Sequence, residues 1–409
     1  MSNYIKSLTL QGILSFAPDS PPIALNRLNV IIGPNGAGKS NFVDILRFIT
    51  TIPSDIEQGF YSLGGQSDFF WRGDWQGKDV LAQINVSTTM TESEETVTSV
   101  LSYGIKLSPH LSEFIVSDEL LNLIREYLVK DKKNKKIVKN INYTLDRSEY
   151  VAALKKGREN FESNSKSSML NDLHSVFNMY DEKKIDGFLF RASTLLLKNF
   201  FSNPLFLQTW GIGRRAEIRR PQPTDYPVTR LMPDYRNLGL ILNEIKNRDP
   251  ELIYAPMRRI IPDFDRLNID ILGGNIVISI SEKDLKGPTS AFRMSDGTLR
   301  FLAILAAIHC KDPPSILVIE EPEIALHPDA LICLAEILIE ASKKTQIFIT
   351  THSEILLSAF RNHLDSVLVC QNRGAGTTMT HLDPNDLAEM LETYSLGQIW
   401  ASGQIGGNP

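Results

Sequence analysis

Apolar and polar positions alternate between residues 80 and 107. Val80, Ala82, Ile84 and Val86 interleave with polar residues, as do Val97, Leu101, Tyr103, Ile105 and Leu107. A period of two buries one face of an extended strand, so these stretches predict an antiparallel hairpin turning near Glu94-Glu95. Ile137, Ile141, Tyr143 and Leu145 have the same period. Between about 108 and 250 the pattern becomes mixed and mainly helical. It is broken by the charge run Lys130-Asp131-Lys132-Lys133-Asn134-Lys135-Lys136 and by Pro221-Gln222-Pro223-Thr224-Asp225-Tyr226-Pro227, a proline-rich connector. Beyond 251, Leu267-Asn268-Ile269-Asp270-Ile271 and Ile276-Val277-Ile278-Ser279-Ile280 flank Gly273-Gly274-Asn275, a second hairpin pattern. A helix at 297–310, a strand at 315–320, a helix at 328–342 and a strand at 345–351 follow, then another helix and strand through Asp365 to Gln371. Regular alternation of this kind predicts a parallel sheet covered by helices. The pattern therefore divides the chain into an N-terminal part (1–107), a mainly helical insertion (108–250) and a C-terminal α/β part (251–409). No internal repeat or sustained heptad is visible.

One loop carries chemistry of its own. The apolar run Leu28-Asn29-Val30-Ile31-Ile32 is followed by Gly33-Pro34-Asn35-Gly36-Ala37-Gly38-Lys39-Ser40 and then by the helical pattern Asn41-Phe42-Val43-Asp44-Ile45-Leu46. Gly-x-x-x-x-Gly-Lys-Ser between a strand and a helix is the setting of a phosphate-binding loop. Glycines let the backbone curl so that N–H groups point inward at a β-phosphate, and the helix adds its positive end. Gly33, Asn35, Gly36, Gly38, Lys39 and Ser40 are the candidate nucleotide ligands. Lys39 supplies a point charge for the β/γ oxygens, and the Ser40 hydroxyl is a Mg²⁺ ligand.

The second half adds acids, a histidine and a hydroxyl. Ser315-Ile316-Leu317-Val318-Ile319-Glu320-Glu321-Pro322 is a buried strand ending in two carboxylates. Ligands bind at the carboxyl ends of strands in open parallel sheets. One acid there can hold Mg²⁺ or its waters, and the other can polarise an attacking water. Standing alone, the pair would read as a solvated acidic turn. Thr350-Thr351-His352-Ser353 ends the next apolar strand, which makes His352 a candidate γ-phosphate sensor beside the plainer reading of a structural histidine. Met294-Ser295-Asp296-Gly297-Thr298 precedes Leu299, Leu302, Leu305 and Ile308, which have helical spacing. Ser295 is either an N-cap or, with Gly297, part of an anion site at a helix N-terminus.

Composition narrows the partners. The chain has 409 residues, 42% of them hydrophobic, and a net charge of −5, so any nucleic-acid contact has to be a local patch. The apolar run 301–308 is far too short to cross a bilayer, and the N-terminus lacks the apolar core of a signal peptide. Cys310, Cys333 and Cys370 lie in apolar segments without metal spacing, as expected of core thiols in a reducing cytoplasm.

Taken together these residues resemble the ABC-type ATPases, specifically the branch with SMC, RecF and the overcoming-lysogenization-defect (OLD) nucleases. The likeness covers 1–60 and 255–370. It makes residues 33–40 the Walker A motif, Ser295 and Gly297 part of the signature motif, Glu320-Glu321 the end of Walker B, and His352 the switch histidine. Ser40-Asn41-Phe42-Val43-Asp44-Ile45-Leu46 matches that branch better than membrane-transporter ATPases. Glu321-Pro322-Glu323-Ile324-Ala325-Leu326-His327-Pro328 and the tail Tyr394-Ser395-Leu396-Gly397-Gln398-Ile399-Trp400 are similar to stand-alone ATPases called AAA-21 or OLD-like.

The resemblance implies an α/β fold: an ABC-ATPase-like head of mixed sheet and helices, with an N-terminal antiparallel β portion and a largely helical insertion. It implies ATP and Mg²⁺ as cofactors, Glu321 and His352 as catalytic residues, and Ser40 with Glu320 at the metal. Glu320 departs from the usual Asp there, which puts its metal role below that of Glu321 as base. The glutamine that such sites carry is not placed by sequence: Gln66, Gln76 and Gln83 are all candidates. Two copies are expected to sandwich ATP head to tail, Ser295 and Gly297 of one touching the γ-phosphate held by the other.

The output is less legible. Only 57 residues follow His352 (409 − 352), too few for a further catalytic domain, so the chain reads as the motor half of a two-component system. Similar ATPases are often encoded beside a small nuclease in anti-phage defence, which makes a separate nuclease or effector subunit the expected partner. A RecF-like clamp on double-stranded DNA is the alternative. Its contacts would be Lys130–Lys139 and Arg214-Arg215 with Arg219-Arg220 near Trp210, unless both are solvated loops. A third reading is an ATP-gated regulator that binds protein through Phe69-Phe70-Trp71-Arg72-Gly73-Asp74-Trp75, unless that cluster is packing.

Overall fold

The computed structural model describes residues 4–73, 82–92, 97–110, 113–130, 136–146, 195, 197–208, 211 and 213–406. In chain order the strands are β1 (Tyr4–Gln11), β2 (Ile23–Ala24), β3 (Leu28–Ile32), β4 (Ala82–Glu92), β5 (Val97–His110), β6 (Glu113–Lys130), β7 (Lys136–Asp146) and β8 (Pro204–Leu207). They continue with β9 (Gln222–Pro223), β10 (Phe264–Leu272), β11 (Asn275–Glu282), β12 (Thr289–Ser290), β13 (Ile316–Glu320), β14 (Gln346–Thr350), β15 (Val367–Asn372) and β16 (Thr377–His381). The chain forms two compact units. One comprises Met1–Arg27, Gly33–Pro204 and Leu368–His381; the other comprises Leu28–Ile32, Leu205–Val367 and Leu382–Pro409.

In the first unit the predicted hairpin is present: β4 and β5 pair antiparallel from Ala82↔Leu107 to Glu92↔Val97. Its turn, with Glu94 and Glu95, lies outside the described residues. The sheet runs β2-β1-β4-β5-β6-β7. Leu101, Tyr103, Ile105 and Leu107 are buried on one face, as their period of two requires. The stretch 113–146, expected to belong to a mainly helical segment, departs from that expectation. It forms β6 and β7, paired antiparallel out to Lys130↔Lys136. The period of Ile137, Ile141, Tyr143 and Leu145 was the better guide, because a half-buried ladder needs alternation over only a few residues. Lysines 132, 133 and 135 of the charge run lie outside the described residues. Tyr103 donates to the buried Glu119 carboxylate across β5 and β6 (Oη to Oε1 2.6 Å). Phe69 and Phe70 are buried against Phe60 with ring centroids 4.9 and 6.2 Å away, so the aromatic run is packing at these two positions; Asp74 and Trp75 are outside the described residues.

In the second unit β3, β14 and β13 are adjacent and parallel, with β8 beyond β13. Leu28-Asn29-Val30-Ile31-Ile32 is buried at every position, as are the four apolar residues of β13 and all of β14. Strands buried on both faces read as continuous apolar runs, which is why alternation fails here and length decides. Asn29 is the polar residue of β3, and its side-chain amide donates to the Ile347 carbonyl (3.3 Å). The helices Asp296–His309 and Pro328–Ala341 bury apolar residues along most of their length. The second predicted hairpin is β10–β11, with Gly273 and Gly274 at positive φ in its turn. Among the described residues no helix is long and apolar enough to cross a membrane.

Candidate functional site

The Gly-x-x-x-x-Gly-Lys-Ser loop starts one peptide bond after β3 and ends in the helix Lys39–Thr51. Gly36 and Gly38 have φ of 77° and 107°, backbone conformations that L side chains rarely adopt. Gly38 has a second constraint: a Cβ there would lie 2.2 Å from Thr377 Oγ1. At Gly33 it would lie 2.2 Å from the Cys370 carbonyl oxygen. The β15–β16 hairpin therefore backs the loop. Thr377 Oγ1 donates to the Ala37 carbonyl (2.9 Å) and Cys370 Sγ donates to the same oxygen (3.3 Å). Burial pushes the Cys370 thiol up to about 12, with Lys39 pulling it back, so it stays protonated. Lys39 is 8% exposed, and its ammonium donates to the carbonyls of Gly33 (2.8 Å) and Pro34 (3.0 Å). The loop thus holds a charge over its own concave side, with the helix N-terminus behind it.

At the sheet edge of the second unit, β3, β14 and β13 end together, since Glu320 pairs with Thr350 and Thr350 with Ile31. Glu320 is the last residue of β13. Gln208, just after β8, donates its side-chain amide to Glu320 Oε1 (2.7 Å). Glu321 follows in a left-handed conformation, φ 45°, and its N–H donates to the Thr350 carbonyl (2.9 Å). A glutamate in this region is strained. The turn releases Glu321 from strand alternation, which would have put it opposite Glu320. His352 Nε2 lies 4.0 Å from Glu321 Oε1, and the His352 N–H donates to Glu323 Oε1 (2.6 Å). Three acids, an amide and an imidazole therefore lie at the carboxyl end of parallel strands.

Ser295 is the N-cap of the helix Asp296–His309, accepting from the Thr298 N–H (3.0 Å). The N-cap reading thus holds for Ser295 Oγ in this structure. Gly297 is buried, and a Cβ there would lie 2.1 Å from the Ala325 carbonyl oxygen. Ala325 itself has φ 68°, and Arg300 Nη1 donates to the neighbouring Ile324 carbonyl (2.7 Å). The N-terminal end of this helix, through Gly297 and Arg300, therefore grips the loop that starts at Glu321.

Two residues escaped sequence reasoning. Gln208 was not among the glutamine candidates. Gln66 and Gln83 belong to the first unit, and Gln76 is outside the described residues. The one available signal was its place after a short apolar run, Leu205-Phe206-Leu207. Arg219, read as a DNA contact, is 5% exposed. It donates to the carbonyls of Ala291 (2.9 Å) and Met294 (2.7 Å) and pairs with Asp296. It braces the segment leading into Ser295. Arg220 pairs with Glu217, while Arg214 and Arg215 are exposed. The three cysteines are free and buried.

The family model described as "AAA domain, putative AbiEii toxin, Type IV TA system" matches residues 28–358. Among curated proteins, the chromosome partition protein Smc of Mycolicibacterium paratuberculosis is 34% identical over 93 residues, 22% of this chain and 7% of that protein. Smc of Desulfitobacterium hafniense is 47% identical over 47 residues, 11% of this chain and 4% of its own length. The chain thus matches less than a tenth of these relatives' length. Among solved structures, an Smc head bound to the C-terminal winged-helix domain of ScpA aligns over 94% of this chain and 99% of its own, at 15% identity and a TM-score of 0.49. The SMC head domain from Thermotoga maritima aligns over 93% and 99%, at 15% identity and a TM-score of 0.42.

Proposed function

This chain belongs to the AAA-domain family whose model spans its residues 28–358, and from that premise we propose that it is an ATPase whose ATP-gated, head-to-tail dimer controls a partner. The observation that carries the reading is the arrangement at the carboxyl edge of β3, β14 and β13. Glu321 is turned out of its strand beside His352, Glu320 is held by Gln208, and the phosphate-binding loop begins at the next residue after β3.

The donor set fits Mg²⁺-ATP. Left-handed glycines turn backbone N–H groups inward for phosphate oxygens, and Lys39 places its ammonium over the same concavity. Ser40 and Glu320 are each a hard oxygen donor of the kind Mg²⁺ prefers, and a bound cation would neutralise charge on the phosphates. Glu321 is the general base for water, oriented by its αL backbone. His352 senses the γ-phosphate from the next strand end. Gln208 orients Glu320 through its side-chain amide. Ser295 and Gly297 reach the nucleotide of a second copy, so that the triphosphate is enclosed only when both copies contribute donors.

The partner we propose is a separate nuclease or effector, with anti-phage defence as the setting. The family description names a toxin of a type IV toxin–antitoxin system, which supports a role in a two-component conflict system. The test is light scattering of Glu321→Gln with Mg²⁺-ATP, together with turnover of the unmodified protein with and without linear duplex DNA. An ATP-dependent dimer with DNA-indifferent turnover is expected. A Glu321→Gln protein that stays monomeric with ATP would contradict the gate. Strong stimulation by DNA would favour a DNA clamp.

A further inference from the structure

The signature segment borders a pocket of about 520 Å³ lined by Arg214, Arg219, Phe292, Arg293, Met294, Ser295 and Asp296. Three arginines meet there with one acid. Arg219 is spent within the wall, on the backbone carbonyls of 291, 292 and 294 and on Asp296, which leaves that pair neutral. Arg214 and Arg293 are exposed, and among the described residues the side chain of neither makes a hydrogen bond or ion pair. The pocket therefore has two uncompensated positive charges beside Ser295 and the first turn of a 14-residue helix. Unpaired arginines around a concave polar surface suit a polyanion, since each guanidinium offers a planar fork for phosphate oxygens.

We propose that Arg214 and Arg293 are phosphate ligands that one copy supplies to the nucleotide bound by the other. Arg219 holds the wall in place, so the two free guanidinium groups and Ser295 meet the incoming phosphates as one surface. The inference rests on the head-to-tail reading above and adds to it the residues that neutralise the triphosphate from the opposite side. Because both groups act across the dimer, they leave nucleotide capture by the Lys39 loop of their own chain untouched. Their removal lowers turnover rather than first-encounter affinity.

The experiment pairs variants that fail at opposite halves of the composite site. Arg214→Ala/Arg293→Ala is expected to lose about 10²–10³-fold in turnover, while a fluorescent ATP analogue still binds the isolated variant as it binds the unmodified chain. Mixed with Lys39→Ala, itself inactive, it regains about a quarter of the unmodified rate, because half of the dimers are mixed and each mixed dimer has one intact site. Ser295→Arg mixed with Lys39→Ala is the reference pair. Turnover of the double-arginine variant within about two-fold of the unmodified protein overturns the proposal. So does failure of its mixture while the Ser295→Arg mixture recovers, since the defect then lies outside the shared site. If neither mixture recovers, the head-to-tail arrangement fails, and the arginine assignment with it.

Discussion

Gly297→Ala separates the grip on the loop that begins at Glu321 from the stability of the helix that provides it. The added Cβ would lie 2.1 Å from the Ala325 carbonyl oxygen and 3.2 Å from its carbon. An ordinary carbon–oxygen contact needs about 3.3 Å, so more than 1 Å has to open. The obstacle is backbone. It cannot swing away cheaply, because Ala325 is already at φ 68° and the adjacent carbonyl is held by Arg300. Overpacking of this kind costs about 1–3 kcal/mol, partly offset by the ~1 kcal/mol that alanine gains over glycine in a helix. The net is about 0–2 kcal/mol, a lowering of Tm by a few degrees at most. Accommodation moves the loop that begins at Glu321, and a 1 Å misplacement at a reacting centre costs about 10²-fold in rate. Mg²⁺-ATP turnover and thermal unfolding are measured on the same preparation. The expected result is turnover down about 10–100-fold with the fold retained. Unimpaired turnover would refute the claim that this helix positions Glu321.

Glu321→Gly should abolish turnover while holding or raising Tm in a thermal melt, because a left-handed backbone costs a non-glycine residue about 1–2 kcal/mol that glycine does not incur; a clear fall in Tm would contradict the strain. Gln208→Ala leaves Glu320 without its amide and should raise the Mg²⁺ concentration needed for half-maximal turnover about 3–10-fold, since lost outer contacts to a ligand weaken a metal site by up to 10–100-fold. Titrating Mg²⁺ at fixed ATP checks this. Cys370 should resist iodoacetamide at pH 8 in the folded protein and react after denaturation, because burial holds the thiol near 12, well above the solution pH. Peptide mapping gives the readout.

The sequence made the phosphate-binding loop legible because its glycines, lysine and serine are required at fixed spacing by backbone geometry that no tertiary contact can replace. The parallel strands were legible for a related reason: Ile316-Leu317-Val318-Ile319 has no polar face to expose. The left-handed turn at Glu321 was foreseeable only as a need, since both carboxylates had to leave strand alternation to share a site. What the chain did not disclose depends on long-range contacts. Gln208 reaches Glu320 across 112 positions, and Arg219 reaches Asp296 across 77. Neither has a local pattern. Arg219 also shows how a run of arginines misleads, because charge counted along the chain says nothing of which guanidinium faces inward. The strand Glu113–Lys130 was missed where charged residues interrupt the period of two, as at Asp118, Glu119 and Arg125, whereas the period at Ile137, Ile141, Tyr143 and Leu145 was legible.

The central claim, that this site hydrolyses ATP through Lys39 and Glu321, is tested most directly by phosphate release from Mg²⁺-ATP. The unmodified chain, Lys39→Ala and Glu321→Gln are compared, with nucleotide binding measured in parallel. The account predicts turnover by the unmodified chain alone, with Lys39→Ala losing binding and Glu321→Gln retaining binding at a rate lower by about 10²–10⁴-fold. Normal turnover by Glu321→Gln, or undiminished ATP binding by Lys39→Ala, would contradict it.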